Sequence, residues 1–105
     1  MDTKVLNRAF KLLSDEIDPG LSIQTMRVFL FIAQKGECSL VEIEQGLNMT
    51  NASTSRNVSY WTERRFDRKP GKNMVERLID DYDQRYKIVR LNDAGKQFYE
   101  KIKAL

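Results

Sequence analysis

Residues 39–65 decide the fold and read SLVEIEQGLNMTNASTSRNVSYWTERR. The segment opens with Ser39 and, three residues later, Glu42, a spacing typical of a capping box. In this motif the serine oxygen accepts from a backbone N–H of the first turn, and the glutamate reaches back to the serine N–H. The pattern therefore predicts a short helix over residues 40–47.

A second helix is predicted after a tight turn at Asn48 and Met49. Thr50 is a favourable cap for this helix, which we expect to run to about Arg65. Two short helices joined by a turn of three or four residues are typical of a helix-turn-helix. Residues 39–65 are therefore predicted to form this motif.

The second helix of the motif has two different faces. Thr54, Val58 and Trp61 share one stripe at helical spacing, which we expect to face the core with Arg65 at its end. The opposite face is small and rich in hydroxyl groups: Ala52, Ser53, Arg56, Ser59, Tyr60 and Glu63. Such a face suits the major groove of DNA, where an arginine can donate two hydrogen bonds to a guanine. A polar face that meets only solvent is the alternative at this point.

Two further helices are predicted before the motif. Apolar residues at helical spacing indicate an amphipathic helix over residues 3–14, followed by a breaker at residues 18–20, Asp-Pro-Gly. Residues 23–35 form the next predicted helix, which Ser22 caps and Gly36 closes. Apolar residues nearly encircle it, so we expect it to be the central buried helix.

A hairpin and a last helix are predicted after the motif. Residues 66–73, FDRKPGKN, form a basic loop. Residues 74–79 and 85–91 show partial alternation of apolar and polar side chains, which predicts two strands joined by a polar tip at residues 80–84. Asn92 is a favourable cap for the final helix.

The predicted element order is helix-helix-helix-helix-strand-strand-helix, a mainly α fold with a small β-hairpin wing, that is, a winged helix-turn-helix. A chain of 105 residues is expected to form one domain. Its predicted parts are an N-terminal helix (1–14), the helix-turn-helix (39–65), the wing (74–91) and a C-terminal helix (92–105).

The positive charge of the chain is concentrated in one block. The whole chain has a formal net charge of +3, and residues 50–73 contain six basic and two acidic residues. A clustered basic surface is typical of proteins that bind a polyanion. A basic face that is only solvated is the alternative.

The sequence excludes several kinds of catalysis. It contains no histidine and one cysteine, Cys38, which excludes Ser-His and Cys-His catalysis, a Cys₂His₂ zinc site and an internal disulfide. We therefore expect neither an enzyme nor a cofactor or metal. Because Glu37 precedes Cys38 and no cation adjoins it, we favour an incidental or structural cysteine over an oxidant sensor.

Two stretches of the sequence contain characteristic motifs. Residues 40–61 place a Ser/Thr-rich helix start before a helix with one arginine. Residues 75–102, VERLIDDYDQRYKIVRLNDAGKQFYEKI, contain Val-Glu-Arg, then Asp-x-x-Asp-x-Arg, then Lys-x-Val-x-Leu, with x-x-Gly after the helix cap. Together these stretches resemble the winged helix-turn-helix of the MarR (multiple antibiotic resistance regulator) family, and the wing is the more specific match.

The resemblance implies roles for several residues. The helix centred on Asn51 to Arg56 would be the recognition helix. Arg85 at the wing tip would enter the minor groove, whose narrow A·T-rich form attracts a guanidinium, and Asp83 would hold that arginine in place. Gly95 would allow close backbone packing where the last helix begins.

The chain departs from the family pattern in two places. The connection between residues 63 and 74 is longer and more basic than usual, so its basic side chains would either contact phosphates or form a solvated loop. Only about twelve residues follow Asn92, where the family has long helices that build the dimer. We therefore expect a homodimer through the N- and C-terminal helices and no small-molecule effector.

Sequence-specific binding of double-stranded DNA is the predicted function, as a repressor-like transcriptional regulator that acts as a homodimer on an inverted repeat. We expect a cytoplasmic, nucleoid-associated protein of bacterial, archaeal or phage origin, with no signal peptide or membrane span. The predicted DNA-binding residues are Thr50, Asn51, Ala52, Ser53, Ser55, Arg56, Ser59, Tyr60, Arg64, Arg68, Lys69, Lys72, Asp83, Gln84 and Arg85.

The alternative function is a winged-helix module for protein interaction, or a replication or architectural accessory that does not read DNA sequence. In a protein-interaction module Tyr60, Phe66 and Tyr82 would be the contact anchors.

Overall fold

The computed structural model describes residues 1–79 and 87–105, and it has the predicted fold class. None of the helices in these two ranges is long and apolar enough to cross a membrane. The elements in chain order are α1 (Thr3–Glu16), α2 (Ile23–Lys35), β1 (Glu37–Ser39), α3 (Leu40–Leu47), α4 (Asn51–Trp61), β2 (Val75–Ile79), β3 (Lys87–Leu91) and α5 (Asp93–Lys103).

The predicted helix caps of the motif are present. Glu42 N–H donates to Ser39 Oγ and Ser39 N–H donates to Glu42 Oε1, both at 3.1 Å, which is the full capping box. Asn48 ends α3 in the left-handed conformation with φ of 52°, which asparagine adopts more readily than most residues. Thr50 Oγ1 then accepts from Ser53 N–H at 3.1 Å. Local hydrogen bonds therefore define the turn between α3 and α4.

The wing is part of a three-stranded antiparallel sheet with strand order β1-β3-β2. The strand β1 was not predicted, because three residues show too little alternation to indicate a strand. In the sheet Cys38 pairs with Val89, and both side chains are buried. Residues 80–86, which include the predicted tip and the start of the predicted strand 85–91, lie outside the described residues.

The core forms around α2, as predicted. Phe29 is fully buried, and its ring lies 4.8 Å from that of Trp61 and 5.8 Å from that of Phe98 between centroids. These contacts join α2 to α4 and α5. The prediction that α2 is apolar and buried on nearly all sides holds less well at its start, where Ile23 is 74% exposed.

The helix α1 ends at Glu16, two residues later than predicted. The N–H groups of Ile17 and Asp18 both donate to Leu13 O, which closes the last turn. Pro19 then disfavours helical backbone at the residue before it. None of the α1 residues is buried, and Phe10 is 54% exposed. The helix therefore leaves part of its apolar face uncovered.

The helix α4 ends at Trp61, four residues earlier than predicted, because the chain returns to its last turn. Thr62 is extended, with ψ of −179°. The carbonyl of Tyr60 accepts from Lys72 N–H at 3.0 Å, and that of Trp61 accepts from Met74 N–H at 2.7 Å. In a longer helix these carbonyls would accept from the next residues of the helix itself.

Candidate nucleic-acid interface

The first half of α4, residues 51–56, has an open outer face. Asn51, Ala52 and Arg56 are exposed, and Ser53 and Ser55 are half-buried. We call residues 51–56 the open half of α4. Small side chains here allow another molecule to approach the helix backbone closely.

The inner stripe of α4 is buried as predicted. Thr54, Val58 and Trp61 are at most 1% exposed. The fourth residue predicted for this stripe, Arg65, lies beyond the end of the helix and is half-buried. The helix is therefore anchored in the core along one side, and the orientation of its outer face is fixed.

A hydrogen-bond network joins α2 to α4, and it was not predicted from the sequence. Thr25 Oγ1 donates to Asn57 Oδ1 at 2.6 Å, and Asn57 Nδ2 donates to Ser53 O at 2.8 Å. Ser53 Oγ donates to Gln24 Oε1 at 3.3 Å, and Trp61 Nε1 donates to Thr25 O at 2.8 Å. The only sequence signal was the place of Asn57, at the border between the two faces of the helix.

The start of α4 is partly engaged with α3. Asn51 Nδ2 donates to Glu44 Oε1 at 2.8 Å, which leaves its amide oxygen as an acceptor. Thr50 Oγ1 is used by the cap. No acidic residue lies in the first turn of α4 itself, and the carboxylate beside it is that of Glu44 in α3.

Arg56 is the cation of the open half. In the part of the chain that the structure describes, no carboxylate lies within ion-pair distance of it. Its side chain lines a groove of about 350 Å³ together with Gln24, Tyr60, Arg65 and Phe66. Its guanidinium is therefore available to a ligand at this surface.

The second half of α4, residues 57–61, is covered on its outer side, and we call it the covered half. Ser59, predicted to contact DNA, is 3% exposed. Its Oγ donates to Arg56 O at 2.9 Å and accepts from Phe66 N–H at 3.0 Å. The chain that follows the helix therefore lies over Ser59 and removes it from the open surface.

Tyr60 is half-buried in the same region. Its ring packs edge-on against Trp61, with centroids 5.2 Å apart, and its hydroxyl donates to Asp18 Oδ2 at 3.5 Å. Burial, and after it the Asp18 carboxylate, raises the pKa of the Tyr60 hydroxyl. The hydroxyl thus remains protonated at neutral pH and acts as a hydrogen-bond donor to Asp18.

The segment after α4, residues 62–71, is a folded turn that we call the 62–71 loop. Arg65 N–H donates to Lys69 O at 2.8 Å, and Arg68 N–H donates to Arg65 O at 3.0 Å. Arg64 and Pro70 form an antiparallel bridge. The backbone of this basic segment is therefore defined by hydrogen bonds, and both alternatives for its side chains, phosphate contacts or solvation, stay predictions.

The predicted phosphate-binding residues of this segment fall into two groups. Arg64, Arg68 and Lys69 are exposed on the 62–71 loop. Lys72 instead donates from Nζ to Ile17 O at 2.9 Å, at the end of α1. Lys72 thus joins α1 to the chain that leaves α4, and we do not include it in the proposed DNA surface.

The predicted wing-tip residues Asp83, Gln84 and Arg85, and Tyr82 of the alternative function, lie outside the described residues. Close packing was predicted at Gly95, and a Cβ there would lie 2.1 Å from Met74 O. The backbone at the start of α5 therefore lies against the backbone just before β2, at the edge of the sheet where β2 begins and β3 ends. Roles for the wing-tip residues remain predictions.

Cys38 lies in β1 with its side chain buried. Burial, and after it the Glu42 carboxylate, raises the pKa of the Cys38 thiol to about 11. The thiolate is the reactive form of cysteine. A raised pKa therefore favours the prediction of an incidental or structural cysteine.

This fold is that of a winged helix-turn-helix, with α4 as the second helix of the motif. In sequence, no family model and no curated protein matches the chain. Solved structures do match it. A mutant of MarR from E. coli, complexed with operator DNA, has a TM-score of 0.68 at 21% identity, covering 98% of this chain and 69% of that one.

Two further structures are similar. A mutant of MepR from S. aureus, bound to an oligodeoxyribonucleotide, has a TM-score of 0.72 at 16% identity, over 97% of this chain and 67% of that one. FabT from Streptococcus pneumoniae, in complex with DNA, has a TM-score of 0.71 at 16% identity, over 97% and 68%. The predicted MarR-like fold is confirmed by these likenesses.

Proposed function

We propose that this protein binds double-stranded DNA sequence-specifically and acts as a transcriptional regulator of the repressor type. The observation that carries the proposal is the open half of α4, whose small polar side chains and exposed Arg56 stand on a buried scaffold. The DNA in the MarR, MepR and FabT structures supports the choice of ligand.

In the proposed complex the open half of α4 lies in the major groove. Ala52, Ser53 and Ser55 let the helix backbone approach the base edges. Arg56 donates two hydrogen bonds to guanine O6 and N7, and Asn51 contacts a base or a phosphate through its free amide oxygen. Thr50 and the first backbone N–H groups of the helix lie near a phosphate.

The flanking contacts are proposed on two elements. Arg64, Arg68 and Lys69 neutralise phosphates from the 62–71 loop, and each such contact steepens the salt dependence of binding. At the wing tip, Arg85 enters the minor groove with Asp83 and Gln84 beside it, as the resemblance implies. Buried Ser59 supports the surface from below, and half-buried Tyr60 lies in the groove beside Arg56, where a contact with DNA stays a prediction.

A homodimer through α1 and α5 completes the proposal. The partly exposed apolar face of α1, with Phe10 and Leu6 at its surface, supports this role. Two copies of α4 would then occupy successive major grooves, so the site would be an inverted repeat with half-sites about one helical turn apart. Occupancy of such a site at a promoter would block transcription in the cytoplasm of the host.

Selection of the purified protein against a random duplex library at near-physiological salt tests the proposal. We expect an enriched inverted repeat with a guanine in each half-site. Arg56→Ala and Arg85→Ala should each lose most of the affinity for the selected duplex. Retention without an enriched motif would indicate architectural binding, and no retention even at low salt would contradict DNA binding altogether.

A further inference from the structure

Phe66 is a large apolar side chain on the surface that is proposed to face DNA. It is 73% exposed and lies on the 62–71 loop, between Arg65 and Asp67. Exposed aromatic side chains on a surface otherwise made of charges are typical of contact points. The proposed function leaves this residue without a role.

The backbone of Phe66 is held at a fixed position relative to Arg56. Phe66 N–H donates to Ser59 Oγ at 3.0 Å, and Ser59 Oγ donates to Arg56 O at 2.9 Å. Buried Ser59 is thus a one-atom bridge between the two residues. Because the bridge is buried, water does not compete strongly for these bonds.

The folding of the loop limits its movement further. Arg65 Nη2 and Asp67 Oδ2 form an ion pair at 3.0 Å across the position of Phe66. Gly71 lies so close to the end of α4 that a Cβ there would be 1.9 Å from Thr62 O. Because the backbone that carries Phe66 is already ordered, a contact made by this residue costs little backbone conformational entropy.

Phe66 and Arg56 line the same groove of about 350 Å³. A ligand in this groove can therefore contact both side chains. The loop contains four basic residues and two acidic ones, Glu63 and Asp67, so it has an excess of two positive charges. Arg64, Arg68, Lys69 and Glu63 are exposed, whereas Asp67 is paired with Arg65. The excess of positive charge around Phe66 is therefore better suited to a polyanionic ligand than to a protein surface of mixed charge.

Duplex DNA offers an apolar group in a polyanionic setting. The C5-methyl of thymine is exposed in the major groove, and phenylalanine is among the side chains that contact it. We propose that Phe66 is a second base-reading residue, which packs on thymine methyl groups beside the base pair that Arg56 reads. Arg64, Arg68 and Lys69 lie on the flanking phosphates. This inference rests on the proposed function.

The experiment begins with duplex selection by the wild-type protein and by Phe66→Ala. We expect both to enrich the same guanine contacts, and only the wild type to enrich thymine at the neighbouring positions. Lys69→Ala is the matched control in the same loop. It should weaken binding to all duplexes, lower the salt dependence and leave the thymine preference unchanged.

A thermodynamic cycle then tests the contact directly. Deoxyuridine replaces the selected thymines, which removes only the C5-methyl groups, and binding is measured by fluorescence anisotropy. For each methyl that Phe66 covers, we expect a loss of roughly fourfold in wild-type affinity, the ratio for burial of one methyl-sized group. The Phe66→Ala variant should bind the thymine and deoxyuridine duplexes equally well. Phe66→Leu should keep part of the difference.

Each other outcome overturns the inference in its own way. If the effects of Phe66→Ala and deoxyuridine are independent, Phe66 does not read thymine, although the proposed function stands. If Phe66→Ala binds like the wild type, the loop does not contact bases. If the wild type selects no duplex, both proposals fail. A partner protein that binds the wild type and not Phe66→Ala would then assign the residue to a protein interface.

Discussion

The two halves of α4 lie on one continuous helix and have different surroundings. Along the open half, the outer side chains up to Arg56 meet solvent. Along the covered half, the 62–71 loop returns and buries Ser59 on the same outer side. A helical face that points away from the core is therefore exposed only where no other segment of the chain covers it.

The halves also divide the work of the helix. The covered half holds the helix in the molecule through Trp61, which contacts Phe29 and Tyr60 and donates to Thr25 O. The open half contributes little to that packing beyond the buried Thr54. Substitutions in the covered half are therefore expected to change stability, and those on the outer side of the open half to change DNA binding.

The largest effect is expected for Trp61→Ala. The side chain is fully buried, and its loss leaves a cavity and removes the hydrogen bond to Thr25 O. Truncations of this kind cost about 3–5 kcal/mol, which is much of the stability of a small domain. Urea unfolding should show the loss. Ala52→Ser, on the outer side of the open half, is the matched control and should unfold like the wild type.

Gly71→Ala tests the cover itself. The new Cβ would lie 1.9 Å from the carbonyl oxygen of Thr62, which is backbone and cannot move aside. We expect a loss of about 1–3 kcal/mol and displacement of the 62–71 loop from α4. Thermal unfolding and proteolysis within the loop measure the two effects.

Gly46→Ala is the matched control for Gly71→Ala. Its Cβ would meet only the ring of Phe31, at 2.4 Å. Because that ring is a half-buried side chain, it can shift, and alanine favours the helical backbone of α3. If Gly71→Ala were as stable and protease-resistant as Gly46→Ala, the close approach of the loop to α4 would be contradicted.

Local signals in the sequence predicted most of the fold. The caps at Ser39 and Thr50 and the inner stripe of α4 are confirmed, because each depends on residues within one or two helical turns. The end of α4 was wrong because it depends on hydrogen bonds from Lys72 and Met74, which periodicity within the helix does not contain.

The candidate site was likewise predictable only where it depends on local sequence. Arg56 is exposed, as its place on the outer face indicated. Ser59 also has a polar side chain on that face, yet the folding of residues 62–71 buries it. Only tertiary contacts distinguish the two positions. For the same reason Gln24 and Asn57 were missed, since the bonds that join them to the facing helix span 29 to 33 positions of the sequence.

Arg56→Ala tests the open half. We expect a loss of about 1–3 kcal/mol in affinity for the selected duplex and a relaxed preference at one guanine, because a bidentate contact is removed. Unfolding should be unchanged. Fluorescence anisotropy over a series of salt concentrations measures the affinity. Arg64→Ala is the control, which should weaken all duplexes alike and reduce the salt slope. Equal behaviour of the two variants would show that Arg56 contacts only the backbone of DNA.

Ser59→Ala is expected to have the smallest effect on stability, and that effect should be confined to the amide of Phe66. It removes the acceptor of Phe66 N–H, so that amide loses its partner, at a cost of about 1 kcal/mol. Hydrogen exchange should speed up at the Phe66 amide more than at the amides inside α4. Ser55→Ala, in the open half, is the matched control and should leave the Phe66 amide unchanged. If Ser59→Ala did not alter exchange at Phe66, the serine would not hold the loop, and the cover of α4 would depend on the contacts at Gly71 and Lys72 alone.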